Sequence, residues 1–285
     1  FTVSNFILKR AIISGLNCLR ILRNSDMLRP RIIPCLLIHK GGLVKTVNFK
    51  SPKYVGDPIN AVKIFNEKEV DELIVLDIDA SVNNVEPNYR LISNLGNECR
   101  MPICYGGGIK TAAQASKIIS LGVEKVAISS AAVENSALIT EIAEEIGRQS
   151  VVVVLDVKKR LFNRGYDVWI NNAKRNTKRC VIEFSKELEE LGAGEVVVNS
   201  IDLDGKMGGY DLLLAAQVRQ SSGVPVTILG GAGCLNDIEA LLNRCGVVGA
   251  AAGSLFVFKG SYRAVLINYP SMSKRDELIG KVFCD

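Results

Sequence analysis

From residue 31 onward, short apolar runs alternate with longer segments of helical period. The runs are RIIPCLLI (31–38), ELIVLDI (72–78), MPICYGG (101–107), KVAISS (125–130), VVVVLDV (151–157), EVVVNSID (195–202), VPVTILGG (224–231) and VVGAAAG (247–253). They are rich in β-branched residues and nearly continuous in hydrophobicity, as strands buried on both faces are. Between them, PINAVKIFNEKEV, AAQASKIISLGV, SALITEIAEEIG, VIEFSKELEELG, YDLLLAAQVRQSSG and LNDIEALLNRCG place apolar residues at helical spacing. Several end in a glycine suited to a helix C-cap. Eight strand-then-helix units over about 250 residues predict an α/β fold, the closed (β/α)8 TIM barrel. An open doubly wound sheet is the competing topology; the regularity and short loops favour closure.

The pattern repeats within the chain. MPICYGGGI (101–109) lines up with VPVTILGGAG (224–233), LGVEKVAISSA (121–131) with CGVVGAAAGSL (245–255), and VLDIDAS (75–81) with NSIDLDG (199–205). The near-constant offset, about half a barrel, predicts two duplicated half-barrels.

Composition narrows the picture. The chain has 285 residues, 48% hydrophobic and 23% charged, which describes a packed globular protein. A formal charge of +5, scattered along the chain, argues against a nucleic-acid binder. One histidine, His39, argues against a His-ligated metal and against two-imidazole mechanisms. None of the eight cysteines forms a C-x-x-C pair, so they read as buried thiols in a reducing cytosol. Residues 1–26 carry Lys9, Arg10, Arg20 and Arg23, with charges that break the apolar stretches before a membrane span is reached. They read as a non-native or mis-assigned extension, leaving 27–285 as one barrel domain with no membrane segment.

The glycine-rich and small-residue turns carry the candidate chemistry. Gly107, Gly108, Ser129 and Ser130 in the first half, and Asp204, Gly205, Gly230, Gly231, Gly253 and Ser254 in the second, can bring backbone N–H groups to an anion. Two such cradles across one mouth imply a phosphorylated small molecule with a phosphate at each end. Asp156 closes VVVVLD and is the leading catalytic candidate; Asp77, Asp79, Asp202 and Asp204 close other strands. The first-half counterpart of Asp156 is Leu37. Arg31, Glu72, Lys125 and Glu195 stand at the starts of four strands, where charges ordinarily meet solvent. Lys45 lies in a long glycine-containing loop, a lid candidate, with His39 at its root as a solvated loop residue. NRGYDVWINN (163–172) predicts a hairpin carrying Tyr166 and Trp169.

Taken together, RIIPCL, GDP, DELIVLDI, GGGI, KVAISSAAV, ELGAGE, GYDL and GGAG, as they stand here, resemble the cyclase subunit family of imidazole glycerol phosphate synthase, of histidine biosynthesis. The resemblance runs from about Met27 to about residue 270. It implies a lyase-type synthase subunit without cofactor or metal. It also implies a heterodimer with a glutaminase on the N-terminal barrel face and ammonia passing through the core. Under it, Arg31, Glu72, Lys125 and Glu195 are the ammonia gate, Glu124 faces the glutaminase, and Lys45 is the loop lysine. The family's two acid–base aspartates fall on Asp156 and on Leu37, and leucine carries no proton. Leu229 stands for a serine, Gly253 for an alanine and Val257 for a histidine. These departures resemble second-copy homologues associated with a sugar amidotransferase in surface-polysaccharide (O-antigen) pathways. The expectation is a cytoplasmic barrel that channels ammonia for amidation of an acetamido-sugar. A genuine cyclase, with a carboxylate such as Asp77 substituting, and a scaffold that only activates the glutaminase are the alternatives.

Overall fold

A computed structural model describes residues 29–160 and 165–282. The expected extension over 1–26 lies outside the described residues. Eight parallel strands form the barrel: β1 (Arg31–His39), β4 (Leu73–Asp77), β5 (Ile103–Gly106), β6 (Lys125–Ile128), β7 (Val151–Lys159), β10 (Glu195–Ser200), β11 (Val226–Leu229) and β12 (Gly249–Ala252). Each pairs with the next, β7 pairs β10, and β12 pairs back onto β1, so the sheet closes. The expected (β/α)8 barrel is the observed fold, and the open sheet is excluded.

The helices cover the outside. They are α1 (Pro58–Glu67), α2 (Tyr89–Glu98), α3 (Ala112–Ser120), the short α4 (Ser130–Glu134), α5 (Ala137–Ile146), α6 (Val181–Leu191), α7 (Leu212–Ser221), α8 (Leu235–Cys245), the four-residue α9 (Ser254–Val257) and α10 (Met272–Val282). Their starts are written locally. Asp57 accepts the Asn60 amide and Pro58 occupies the first turn of α1, while Thr111 and Asp211 cap α3 and α7 in the same way. Among the described residues no helix is long and apolar enough to cross a membrane.

Strand alternation splits the core in two. Ile32, Val75, Val153 and Val198 point outward and pack with Phe65, Ile92, Phe184 and Leu241 of the helices. Ile33, Cys35, Ile74, Cys104, Ala127, Val152, Val154, Val197, Leu229 and Ala251 fill the barrel interior. Burying a Val, Leu or Ile contributes about 1.5–3 kcal/mol each, so both shells stabilise closure.

The duplication is visible in the connections. β1 turns into the antiparallel β2 (Gly42–Val47) and β3 (Lys50–Gly56); β7 turns likewise into β8 (Tyr166–Ile170) and β9 (Arg175–Cys180). The segment expected to be a long first loop is therefore mostly a strand hairpin, and Lys45 sits in β2. The hairpin expected over 163–172 holds only its first strand, β8; the second, β9, runs on to Cys180, and residues 161–164 lie outside the described residues. A small β13–β14 ribbon (Phe258–Lys259, Ala264–Val265) leads into α10.

Candidate functional site

At the floor of the barrel, where the strands begin, four charged side chains meet. Arg31 is bonded to Glu72 through Nη1, and its Nη2 lies 2.7 Å from Glu195 Oε1. Lys125 Nζ lies 2.9 Å from both Glu72 Oε1 and Glu195 Oε2. The result is a closed ring of alternating sign. Thr227, on β11, adds a hydroxyl donated to Glu195 Oε1 at 2.6 Å. Glu72 and Glu195 are almost fully buried. A buried carboxylate survives ionised only where cations face it. Burial alone would raise the Glu195 carboxyl, but Arg31 and Lys125 hold it below its usual range. The same contacts overcome burial to keep Arg31 and Lys125 charged, raising both above their ordinary values. Four strand-start charges that read individually as solvent-facing in fact form one cluster, its carboxylates buried and its cations partly so. Glu124, beside Lys125, is exposed on the same face.

At the opposite end, the mouth opens into a cleft enclosing some 1190 Å³, part of it open solvent. Asp156 and Leu37 both line it. Asn199, two inward positions along β10 from Glu195, donates from Nδ2 to Asp156 Oδ1 at 2.9 Å. Desolvation pushes the Asp156 carboxyl up to about 7; the Asn199 hydrogen bond opposes this and the negative Asp204 adds to it. No ion pair ties Asp156 to Lys158 or Lys159 among the described residues: Lys158 lies 5.2 Å from the Trp169 ring centre, and the Lys159 amide donates to Asp202. Leu37 is paired in register with Leu76 of β4, an apolar couple at the corresponding place in the first half.

The expected phosphate turns surround this cleft. Gly107, Gly108, Ser129, Ser130, Asp204, Gly205, Gly230, Gly231, Gly253 and Ser254 all line it. At several of these, close backbone approach and positive φ together require glycine. A Cβ on Gly231 would lie 2.0 Å from the Gly209 carbonyl, with φ +110°; one on Gly107 would lie 2.6 Å from the Asp77 carbonyl, with φ +130°. Ser130 Oγ accepts the Asn171 amide, and Ser254 Oγ is buried without a partner.

Lys45 reaches in from the hairpin. Its Nζ donates to Asp204 Oδ1 at 2.6 Å and to the Thr46 carbonyl at 3.1 Å, while Thr46 Oγ1 donates to Asp204 Oδ2. The lysine stem crosses Gly253 so closely that a Cβ there would stand 3.0 Å from Cε. Asp77 spends Oδ1 on the amides of Asp79 and Ala80, and burial raises its carboxyl. His39 lies in β1 rather than in a loop, its Nδ1 2.7 Å from Asp79 Oδ1, outside the cleft lining. Tyr166 donates its hydroxyl to Asp211. Val257 is buried and does not line the cleft. Sequence reasoning missed Asn199 and Thr227. Strand alternation, counted inward from Glu195 and from the barrel-facing Leu229, is the signal that finds them.

Comparison with known proteins agrees with this geometry. Residues 31–263 match the family of histidine biosynthesis proteins (His_biosynth). A Vibrio vulnificus protein, provisionally named imidazole glycerol phosphate synthase subunit hisF3, is 58% identical over 253 residues, covering 89% of this chain and 97% of its own length. A Pseudomonas aeruginosa protein, provisionally named subunit hisF2, is 55% identical over 250 residues, 88% of this chain and 99% of its own. The Lactococcus lactis (strain IL1403) imidazole glycerol phosphate synthase subunit HisF is 40% identical over 230 residues, 81% of this chain and 89% of its own. Of these three, the two higher identities fall on proteins named with a copy number, hisF3 and hisF2. The chain belongs to the histidine biosynthesis protein family, as a member of the imidazole glycerol phosphate synthase cyclase-subunit (HisF) group and of its second-copy branch.

Proposed function

We propose that the chain is the ammonia-receiving barrel of a glutamine amidotransferase complex and that it has lost efficient ring closure. A glutaminase subunit docks on the floor beside Glu124, and its ammonia passes the Arg31–Glu72–Lys125–Glu195 ring. The ammonia then follows the interior past Cys104, Ala127 and Val154 to the mouth. There it is handed on for amidation of an acetamido-sugar by a third protein, in a surface-polysaccharide pathway of the cytoplasm. The cleft turns hold a phosphorylated small molecule.

One observation carries this reading: at the level of the cleft where Asp156 stands with Asn199, the other half offers only Leu37 and Leu76, while the ring below is complete. A general acid or base contributes about 10²–10⁴-fold, and an aliphatic side chain supplies none of it. Cyclisation with Asp77 as substitute is the weaker reading, because one Asp77 oxygen is already held by two backbone amides.

The test supplies glutamine labelled with ¹⁵N in its amide to the purified barrel, its glutaminase, a sugar amidotransferase and an acetamido-sugar. Label in the sugar amidine, reduced by Lys125→Met without loss of glutaminase turnover, is the expected result. Label that reaches the sugar equally well through the variant overturns the conduit and favours a scaffold.

A further inference from the structure

Residues flanking the floor ring are bonded to a segment that follows the family match. The match ends at residue 263; α10 begins at Met272 and carries Arg275. Arg275 is 4% exposed, and its guanidinium is bonded to Asp71 Oδ1. The other Asp71 oxygen accepts the Ile32 amide at 2.9 Å. Tyr269, also buried, donates its hydroxyl to the Ile32 carbonyl at 2.7 Å and accepts the Asp71 amide at 3.3 Å. The Arg275 guanidinium stands 5.2 Å from the Tyr269 ring centre. Asp71 immediately precedes Glu72 and Ile32 immediately follows Arg31. The two residues that form one side of the ring are therefore each flanked by a residue tied to the C-terminal segment and to each other: Asp71 through its amide and its carboxylate, Ile32 through its backbone.

We propose that Arg275 and Tyr269 are positioning residues for the ring: by fixing Asp71 against Ile32 they hold the Arg31–Glu72 contact shut, so that the C-terminal segment sets how readily the floor opens. A buried ion pair that loses one member leaves an uncompensated charge, and the structure relaxes to rehydrate it. Here the stranded group is Asp71, and water reaching it enters beside Glu72. The inference deepens the conduit reading and rests on it for its meaning, but not for its test.

The interior supplies its own reporters. Cys104 pairs in register with Lys125, just inside the ring, and Cys35 lines the cleft at the mouth. The purified barrel is treated with methyl methanethiosulfonate, and modification of each cysteine is followed by peptide mass spectrometry. Arg275→Gln should speed modification of Cys104 by about tenfold while Cys35 changes less than about twofold, because the opening is local rather than global. Tyr269→Phe should act in the same direction and more weakly; Arg275→Lys, which keeps the charge, should stay near the unmodified protein.

Equal acceleration at both thiols overturns the proposal, since it means general loosening of the fold. No acceleration at Cys104 overturns it as well. Lys125→Ala, which breaks the ring directly, separates this from the parent reading. Cys104 responding to Lys125→Ala but not to Arg275→Gln removes the clamp and leaves the conduit. Cys104 responding to both, with ammonia transfer unchanged in both, keeps the clamp and removes the conduit.

Discussion

The two halves of the mouth are built on the same plan and filled differently. In the second half, Asp156 on β7 stands in register with Asn199 on β10. In the first, Leu37 on β1 stands in register with Leu76 on β4. Both first strands feed an antiparallel hairpin, and each hairpin is followed by a helix of ten or eleven residues. Backbone symmetry has survived while its chemistry has become one-sided. One half holds a carboxyl poised near neutrality by burial; the other holds two leucines that repel water and carry no proton. The floor, in contrast, retains every member of its ring, although a buried unpaired charge there would be costly. On the proposed reading, the barrel is maintained as a passage more completely than as a ring-closing enzyme.

The largest expected effect is a gain. Leu37→Asp restores a carboxyl opposite Asp156 and should raise ammonia-dependent cyclisation of the two-phosphate histidine-pathway intermediate by about 10²–10⁴-fold. The charge brought beside Leu76 should also lower stability by about 1–3 kcal/mol. Activity that stays at the starting level would mean that the first half has lost more than a proton carrier.

The next effect is at the floor. Glu195→Ala should cost about 3–5 kcal/mol in denaturant unfolding at neutral pH, since Arg31 and Lys125 both lose a partner. Glu195 has a folded-state value below its unfolded one. Its contribution is therefore present above the unfolded value, about 4.3, and is lost as pH falls through the lower folded value. The gap between variant and parent should accordingly narrow in acid.

Asp156→Asn has the opposite sign. The folded-state value of about 7 lies above the unfolded value, so the stability linked to this group is present below about pH 4 and disappears as pH rises through 7. The variant should be more stable than the parent by about 1–3 kcal/mol at pH 8 and equal to it near pH 4. A parent whose stability is flat between those pH values would mean that Asp156 ionises as an ordinary exposed carboxylate.

Gly253→Ala should be the smallest change. The new methyl meets the far end of Lys45 at 3.0 Å and the Cys35 carbonyl at 3.1 Å, contacts that a flexible stem and a slight shift accommodate. Unfolding free energy should move by less than about 1 kcal/mol. A larger loss would show that Lys45 is held rigidly over the mouth.

The barrel was legible in the residues because its strands are continuous apolar runs between segments of a different period, and because the same pattern occurs twice. The first hairpin was not, since GLVKTVNFKSPKYVG has glycines, lysines and weak alternation; its strands exist by pairing with β1. Asp156 was recognisable from its place at the end of a valine run. Its partner Asn199 was not, because register across neighbouring strands has no local signature. Arg31, Glu72, Lys125 and Glu195 read by themselves as ordinary strand-start charges; the family resemblance singled them out as a set, and their convergence on one axis makes them a ring. The Asp71–Arg275 pair joins positions 204 apart, a contact that no periodicity in the chain announces.

The central claim is that the mouth lacks one of two proton carriers while the passage beneath it is intact. Steady-state turnover of the two-phosphate histidine-pathway intermediate by the purified barrel, with ammonium salt as nitrogen source, tests it most directly. The account predicts turnover close to the uncatalysed rate in the parent and a marked gain in Leu37→Asp. Efficient cyclisation by the parent, unchanged or lowered by that substitution, would contradict it.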